Sequence, residues 1–215
     1  MIEFQYISQG ETPQEHLYNI EEVCKNGGKW IQLRIKNEER ITHLKTAMRC
    51  RDICDQYGAI MVVNDSISVA KVAMADGVHL GLNDTSPEEA RKILGDNFII
   101  GGTANTIEDC IQQIRAGVDY IGLGPYKYTN TKKNLSPVLG LEGYKNIIEE
   151  LHGKNIEIPV VAIGGITEAD IPDLIKTKVT GVAVSGMLTR QENLEQKIKN
   201  IKKNIPQRLV NNSFK

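Results

Sequence analysis

No stretch of this 215-residue chain approaches the roughly 18 consecutive apolar residues of a membrane span. An excess of either charge is also missing. The 26 Lys and Arg stand against 27 Asp and Glu, so no overall field favours nucleic acid or an anionic membrane. The opening residues, Met1-Ile-Glu-Phe-Gln-Tyr-Ile7, have no basic stretch followed by an apolar one, and no secretory signal is expected there. Cysteine is sparse. Cys50 and Cys54 lie one helical turn apart, which is not the Cys-x-x-Cys spacing of a zinc pair. With Cys24 and Cys110 they read as small buried or half-buried thiols on helices, in a reducing, cytoplasmic compartment. Low-complexity tracts and linkers are absent too. Residues 1–205 therefore read as one domain and 206–215 as a frayed tail.

What the chain does have is alternation. With 40% hydrophobic and 25% charged residues it has the makings of an ordinary buried core. Short β-branched runs recur at Phe4–Ser8, Trp30–Lys36, Ile60–Asn64, Gly77–Gly81, Phe98–Gly102, Tyr120–Gly124, Val160–Gly164 and Val182–Ser185. Several, such as Ile60-Met-Val-Val63, are continuously apolar, as parallel strands covered on both faces must be. Helical periodicity fills the gaps. Pro13–Asn26 puts Leu17, Ile20 and Val23 on one face, and Glu38–Tyr57 puts Ile41, Leu44, Ala47, Met48 and Cys54 on another. Ser86-Pro-Glu-Glu89, Thr106-Ile-Glu-Asp109 and Thr167-Glu-Ala-Asp170 are helix starts, a hydroxyl cap followed by acids at the positive end of the dipole. Eight such β/α units predict a (β/α)8 TIM barrel. A doubly wound sheet would carry Gly-x-Gly-x-x-Gly after strand one, where this chain has Gln9-Gly-Glu-Thr-Pro13.

In a barrel of this kind the chemistry sits at the C-terminal ends of the strands. Alternation along strand two puts Gln32, Arg34 and Lys36 on the inner face and Ile31, Leu33 and Ile35 on the outer one. Inward cations need an anion, or core carboxylates, to satisfy them. Strand three ends at Asn64-Asp65, and strand four runs into Leu82-Asn-Asp84. Two carboxylates and an amide make a hard oxygen site that suits Mg²⁺. Strand five ends in Gly101-Gly-Thr103, where Thr103 is a cap or a phosphate donor and the glycines allow close backbone approach. Strand six opens into Pro125-Tyr-Lys-Tyr-Thr-Asn-Thr-Lys-Lys133, a loop of hydroxyls and ammonium groups suited to a phosphorylated ligand. Gly164-Gly165 after strand seven and Val184-Ser185-Gly186 after strand eight fit a backbone phosphate cradle, though glycine there also serves tight turns. Two anion sites imply two phosphorylated substrates. His79 reads as a core residue rather than a ligand, and His16, His43 and His152 as surface helix residues.

These segments together resemble the thiamine phosphate synthase family. The resemblance runs from Gln32 to Gly186. It is carried by Gln32-Leu-Arg-Ile-Lys36, Val63-Asn-Asp65, Ala75-Asp-Gly-Val-His-Leu-Gly81 with Asp84, Tyr120-Ile-Gly-Leu-Gly-Pro125 with Thr129 to Lys133, Pro159 to Ile166 and Gly181 to Ser185. It implies a transferase that joins 4-amino-2-methyl-5-hydroxymethylpyrimidine diphosphate to a thiazole phosphate, releasing pyrophosphate. On that resemblance Gln32, Arg34, Lys36, Asn64, Thr103 and Lys132 hold the diphosphate, and Asp65 and Asp84 bind Mg²⁺. Thr129, Thr131, Gly165 and the Val184-Ser185 backbone take the thiazole phosphate. Lys132, Arg34 and Thr103 are the catalytic candidates. The implied partners are small molecules, without nucleic acid or membrane, and the chain leaves room for a homo-oligomer. The sequence departs from the family pattern at Ile35 (commonly Glu), Tyr128 (usually Pro), Asn134 (often Asp), Leu82-Asn83 and Asn105 (frequently His). A thiazole tautomerase-like paralogue, or a non-catalytic thiazole phosphate-binding protein, is the alternative. The tautomerase would want a proton-transfer histidine near the end of strand five, where the chain reads Thr103-Ala-Asn105.

Overall fold

Among the residues described by the computed structural model, 4–129 and 136–206, eight parallel strands close on themselves in sequence order. They are β1 (Phe4–Ile7), β2 (Trp30–Leu33), β3 (Ile60–Asn64), β4 (Gly77–Leu80), β5 (Ile99–Ala104), β6 (Tyr120–Leu123), β7 (Val160–Ile163) and β8 (Gly181–Val184). Phe4 pairs with Val182 to seal the barrel. The covering helices are α1 (Pro13–Lys25), α2 (Arg40–Tyr57), α3 (Ile67–Val72), α4 (Pro87–Leu94), α5 (Ile107–Arg115), α6 (Gly140–Gly153), α7 (Ile171–Lys176) and α8 (Leu194–Asn204). This is the (β/α)8 barrel that the alternating pattern predicts. The reading of 206–215 as a frayed tail falls almost wholly outside the described residues.

Outward residues of the strands, such as Ile31, Leu33, Val63 and Val78, pack with the helices in the main core. Ile35 joins them, as its parity requires. Inward residues Ile7, Trp30, Val62, Tyr120, Val161 and Ala183 fill the barrel's interior, where the Trp30 and Tyr120 rings meet edge to face at 5.0 Å. Each large apolar side chain so buried contributes about 1.5–3 kcal/mol. Caps form where the sequence puts them. Ser86 accepts from the Glu89 N–H ahead of Pro87, and Thr106 forms a reciprocal capping box with Asp109. Thr167 does the same with Asp170, opening a single 3-10 turn before α7.

At the opposite end of the barrel from the strand C-termini, one device occurs twice. Asp76, just before β4, accepts from Met61 N and Arg51 Nη1, both at 2.6 Å. Asp119, just before β6, accepts from Ile100 N and Arg91 Nη2, both at 2.7 Å. Each aspartate thus ties a strand start to its neighbour and to a helix, using arginines that the opposite, functional face does not need.

Three expectations change. β2 ends at Leu33, so Arg34 and Lys36 stand on the loop rather than in the sheet, and only Gln32 lies inside. On α2 the inward face is built from Thr46, Ala47, Cys50 and Cys54, while Ile41 is 54% and Met48 51% exposed. At about 100° per residue those two lie on the far flank from Ala47, Cys50 and Cys54. Small residues carry the buried stripe because α2 packs close against β2, β3 and α1. Finally, His16 is buried and His43 half-buried; only His152 is a surface residue.

All four cysteines are free and buried, and the Cys54 thiol hydrogen-bonds to those of Cys24 and Cys50. Native protein is therefore expected to react with a thiol reagent such as Ellman's only as fast as it opens, with full reaction in denaturant. Rapid modification of even one thiol in the native state would contradict this packing.

Candidate active site

Strand C-termini set the site's position, and local turns aim its side chains. Asp65 follows β3 in the left-handed region, φ 63°, a conformation that Asp tolerates better than most residues. Its N–H donates to the His79 carbonyl of β4 at 2.8 Å. The turn brings its carboxylate to Lys36 Nζ, which donates to Oδ2, and into hydrogen-bonding contact with Asp84. Asp84 is held by its own loop: Oδ2 accepts from Gly81 N at 2.7 Å. A Cβ on Gly81 would lie 2.8 Å from that oxygen, so a larger residue there would push the Asp84 carboxylate from its place.

The two carboxylates are driven apart electrostatically. Burial pulls Asp65 upward, but Lys36 and the hydrogen bond with Asp84 outweigh it and hold its carboxyl below the usual range. For Asp84, burial and the Asp65 carboxylate act together and push it up. A pair of this kind shares a proton or takes a cation. Two hard oxygen donors suit Mg²⁺. Among the described residues no three His, Cys, Asp or Glu side chains converge, so Asp65 and Asp84 would hold the ion with ligands from outside the protein, as Mg²⁺ sites commonly do. The residues present fit the ion.

Arg34 is half-buried beside this pair. Burial makes its guanidinium harder to keep charged, and Asp65 offsets part of that. Its backbone N–H donates to Ser8 Oγ at 3.0 Å, and Ser8 Oγ is hydrogen-bonded to His16 Nδ1 at 2.8 Å. The buried Ser8–His16 pair thereby fixes where β2 leaves the sheet. Burial pulls the His16 imidazole down, keeping it neutral. A cavity of about 380 Å³, lined by Ser8, Gln9, His16, Arg34 and Lys36, opens along this side. That is the size of a small-ligand pocket.

Gln32 and Asn64 lie in the barrel, 2% and 8% exposed, below the loop residues. Gln32 Nε2 donates to Gln5 Oε1 at 2.9 Å. Thr103 is half-buried at the end of β5, with Oγ1 3.0 Å from His79 Nε2. The histidine missing from the sequence around Thr103 is thus supplied by β4. Both its ring nitrogens lie within hydrogen-bonding distance of hydroxyls, Nδ1 of Tyr120 at 3.0 Å and Nε2 of Thr103. The glycines of β5 also have another reason than ligand approach. A Cβ on Gly101 would fall 2.2 Å from the Tyr120 ring, and one on Gly102 2.3 Å from Gln113 Oε1.

Thr131, Lys132 and Asn134 lie outside the described residues; Thr129 is half-buried at their edge. Before it, Tyr126 N and Lys127 N donate to the Ile163 and Gly164 carbonyls at 2.8 and 2.9 Å. Gly164 and Gly165 both have positive φ, and a Cβ on Gly165 would lie 2.7 Å from the Tyr128 carbonyl. The double glycine is therefore required by the loop packed upon it. The Tyr128 side chain points to solvent, 74% exposed. At β8, Val184 is buried and Ser185 Oγ donates to Gln9 Oε1 at 3.2 Å.

Asn105, unremarkable in the sequence apart from its departure from pattern, closes the loop's base. Nδ2 donates to the Gly124 and Pro137 carbonyls, both at 2.9 Å, from either side of the loop. Asn105→Ala should cost about 1–3 kcal/mol, since the buried Gly124 carbonyl and the part-buried bond to the Pro137 carbonyl lose their donor. Urea unfolding measures the loss, and a change below ~0.5 kcal/mol would show that the bonds are immaterial.

Fold and site together define a (β/α)8 barrel whose mouth presents cations, paired carboxylates and hydroxyls suited to polyanionic small molecules. A family model described as thiamine monophosphate synthase matches residues 5–188. Over 201 residues the chain is 47% identical to the thiamine-phosphate synthase of Flavobacterium psychrophilum, covering 94% of this chain and 98% of that one. It is 46% identical over 192 residues to that of Bacteroides thetaiotaomicron, covering 89% and 92%. The thiamine phosphate pyrophosphorylase structure from Pyrococcus furiosus superposes with a TM-score of 0.80 at 30% identity, covering 94% and 95%. The chain belongs to the thiamine monophosphate synthase family.

Proposed function

We propose that this protein joins 4-amino-2-methyl-5-hydroxymethylpyrimidine diphosphate to a thiazole phosphate, giving thiamine phosphate and pyrophosphate. The observation that carries the reading is the meeting of Lys36, Asp65 and Asp84 beside Arg34, at adjacent strand ends of a barrel of this family. A monophosphate-only barrel enzyme has no use for that cluster.

Arg34 and Lys36 bind the diphosphate oxygens, and Thr103 donates to them. Asn64 and Gln32 shape the floor beneath. Lys132, outside the described residues, is assigned the charge that develops on the departing pyrophosphate. Asp65 and Asp84 would hold Mg²⁺, which would supply positive charge to neutralise the same leaving group. The aminopyrimidine ring donates electrons as the C–O bond breaks, and the thiazole nitrogen captures the exocyclic carbon. No protein nucleophile is needed. Thr129, Thr131, Gly165 and the Val184-Ser185 backbone hold the thiazole phosphate, so the two partners are aligned before reaction. The partners are small molecules rather than nucleic acid or membrane. No helix among the described residues is long and apolar enough to cross a bilayer. The four free thiols support a cytoplasmic setting.

The test is pyrophosphate release by purified, folded protein. Release should require both phosphorylated substrates and a divalent cation, with thiamine phosphate as product. Absence of thiamine phosphate under those conditions would end the synthase reading. A tautomerase would act on the thiazole phosphate alone.

A further inference from the structure

The barrel's interior holds a line of polar side chains, of which Gln5, Tyr120 and His79 have no part in the chemistry above. Gln32 Nε2 donates to Gln5 Oε1 at 2.9 Å, and Gln5 Nε2 donates to the Tyr120 hydroxyl at 3.2 Å. The Tyr120 hydroxyl lies 3.0 Å from His79 Nδ1, and His79 Nε2 lies 3.0 Å from Thr103 Oγ1. Gln5, Gln32, Tyr120 and His79 are all buried, and Thr103 alone is half-open at the mouth. Two glycines make room for the line. A Cβ on Gly101 would sit 2.5 Å from His79 Nδ1, besides its clash with Tyr120, and one on Gly122 would sit 2.9 Å from His79 Cε1. Polar groups this deep need partners with the right donor and acceptor sense.

That requirement gives the line a direction. An amide nitrogen only donates, so the Tyr120 oxygen accepts from Gln5, and Gln32 bears on the same oxygen. Burial pushes the Tyr120 hydroxyl's pKa up, so it keeps its proton. Tyr120 donates that proton to His79 Nδ1. A neutral imidazole that accepts at Nδ1 carries its hydrogen on Nε2. Nε2–H then donates to Thr103 Oγ1. The threonine's own hydrogen is turned away from the histidine and is free for another acceptor.

We propose that Tyr120 and His79 are positioning residues which lock one imidazole tautomer and make Thr103 a one-way donor to a phosphate oxygen in the mouth. The proposal rests on the synthase reading only for the identity of that phosphate.

The first test reads the tautomer in the unaltered protein and uses a variant only for assignment. Nitrogen-15 spectra of histidine-labelled protein, with His79→Gln identifying the His79 signals among the four histidines, should show a protonated Nε2 and a bare Nδ1. The opposite tautomer overturns the proposal, since Thr103 would then donate inward. The second test is a double-mutant cycle. Tyr120→Phe should lower kcat/KM for the pyrimidine diphosphate about tenfold. In a Thr103→Ala background the same change should cost less than about twofold. Losses that simply multiply overturn the proposal, because a purely structural tyrosine would act independently of Thr103. The expected tautomer in a protein without synthase activity would sink the synthase reading and leave the locked imidazole standing. The wrong tautomer in an active synthase would do the reverse.

Discussion

Asp84→Asn should lower the rate of pyrophosphate release about 100-fold or more, as loss of a leaving-group cation worth several kcal/mol requires. The same substitution should make the metal-free protein slightly more stable at neutral pH. Asp84 is pushed up by burial and by Asp65, so removing its charge relieves repulsion in the empty site. Because Asp84 is exposed, the gain is screened and small, about 1–3 °C in Tm. Activity and stability moving in opposite directions would mark a site that carries strain for its ligand. Calorimetric titration of Mg²⁺ gives a readout apart from turnover, and binding should be lost in the variant. A variant that is both slower and less stable would argue that Asp84 is a structural loop acid.

The pH dependence of this pair follows from the directions of its shifts. Asp84, raised, contributes stability below the ordinary carboxylate range and loses it as pH rises through its folded value. Asp65, lowered, contributes above the ordinary range and loses it as pH falls through its folded value. Cation affinity needs both ionised, so it should weaken on acidification first through Asp84. Affinity that stays flat until Asp65 protonates would contradict the assigned order.

Lys132→Ala is the second large effect. It should lower kcat by about 10²–10³-fold, the range for removing one group that stabilises transition-state charge. The dissociation constant for thiazole phosphate should change less than about threefold, because that partner is assigned to Thr129, Thr131 and the glycine turn. Single-turnover kinetics with saturating thiazole phosphate separates the two. Intact kcat with weakened thiazole phosphate binding would move Lys132 from the leaving diphosphate to the incoming phosphate.

How much of this is legible in the sequence differs by residue. The strands are legible because near-continuous β-branched runs bounded by glycines suit a buried parallel strand and little else. The caps are legible because Ser86, Thr106 and Thr167 act on N–H groups three residues away. Ile35 is placed outward by parity alone. On α2 periodicity places Leu44, Ala47 and Cys54 correctly but misplaces Ile41 and Met48, because it weights size over fit: Ala47, Cys50 and Cys54 bury more completely than those two. Asn105, Gln9 and the Ser8–His16 pair carry no signal in the sequence, since each owes its role to a partner on another strand or loop.

By itself, then, the sequence determined the eightfold alternation and the residue types offered near the strand ends, because those are set by local propensity and by parity within one strand, although it ran β2 on past Leu33. The tertiary structure alone decided which of them meet. Barrel closure sets Asp65 against Asp84 and Lys36 across three strand ends, and threads Gln32 through Gln5, Tyr120 and His79 to Thr103. Those contacts depend on register and shear between strands far apart in the chain, and no local pattern encodes them.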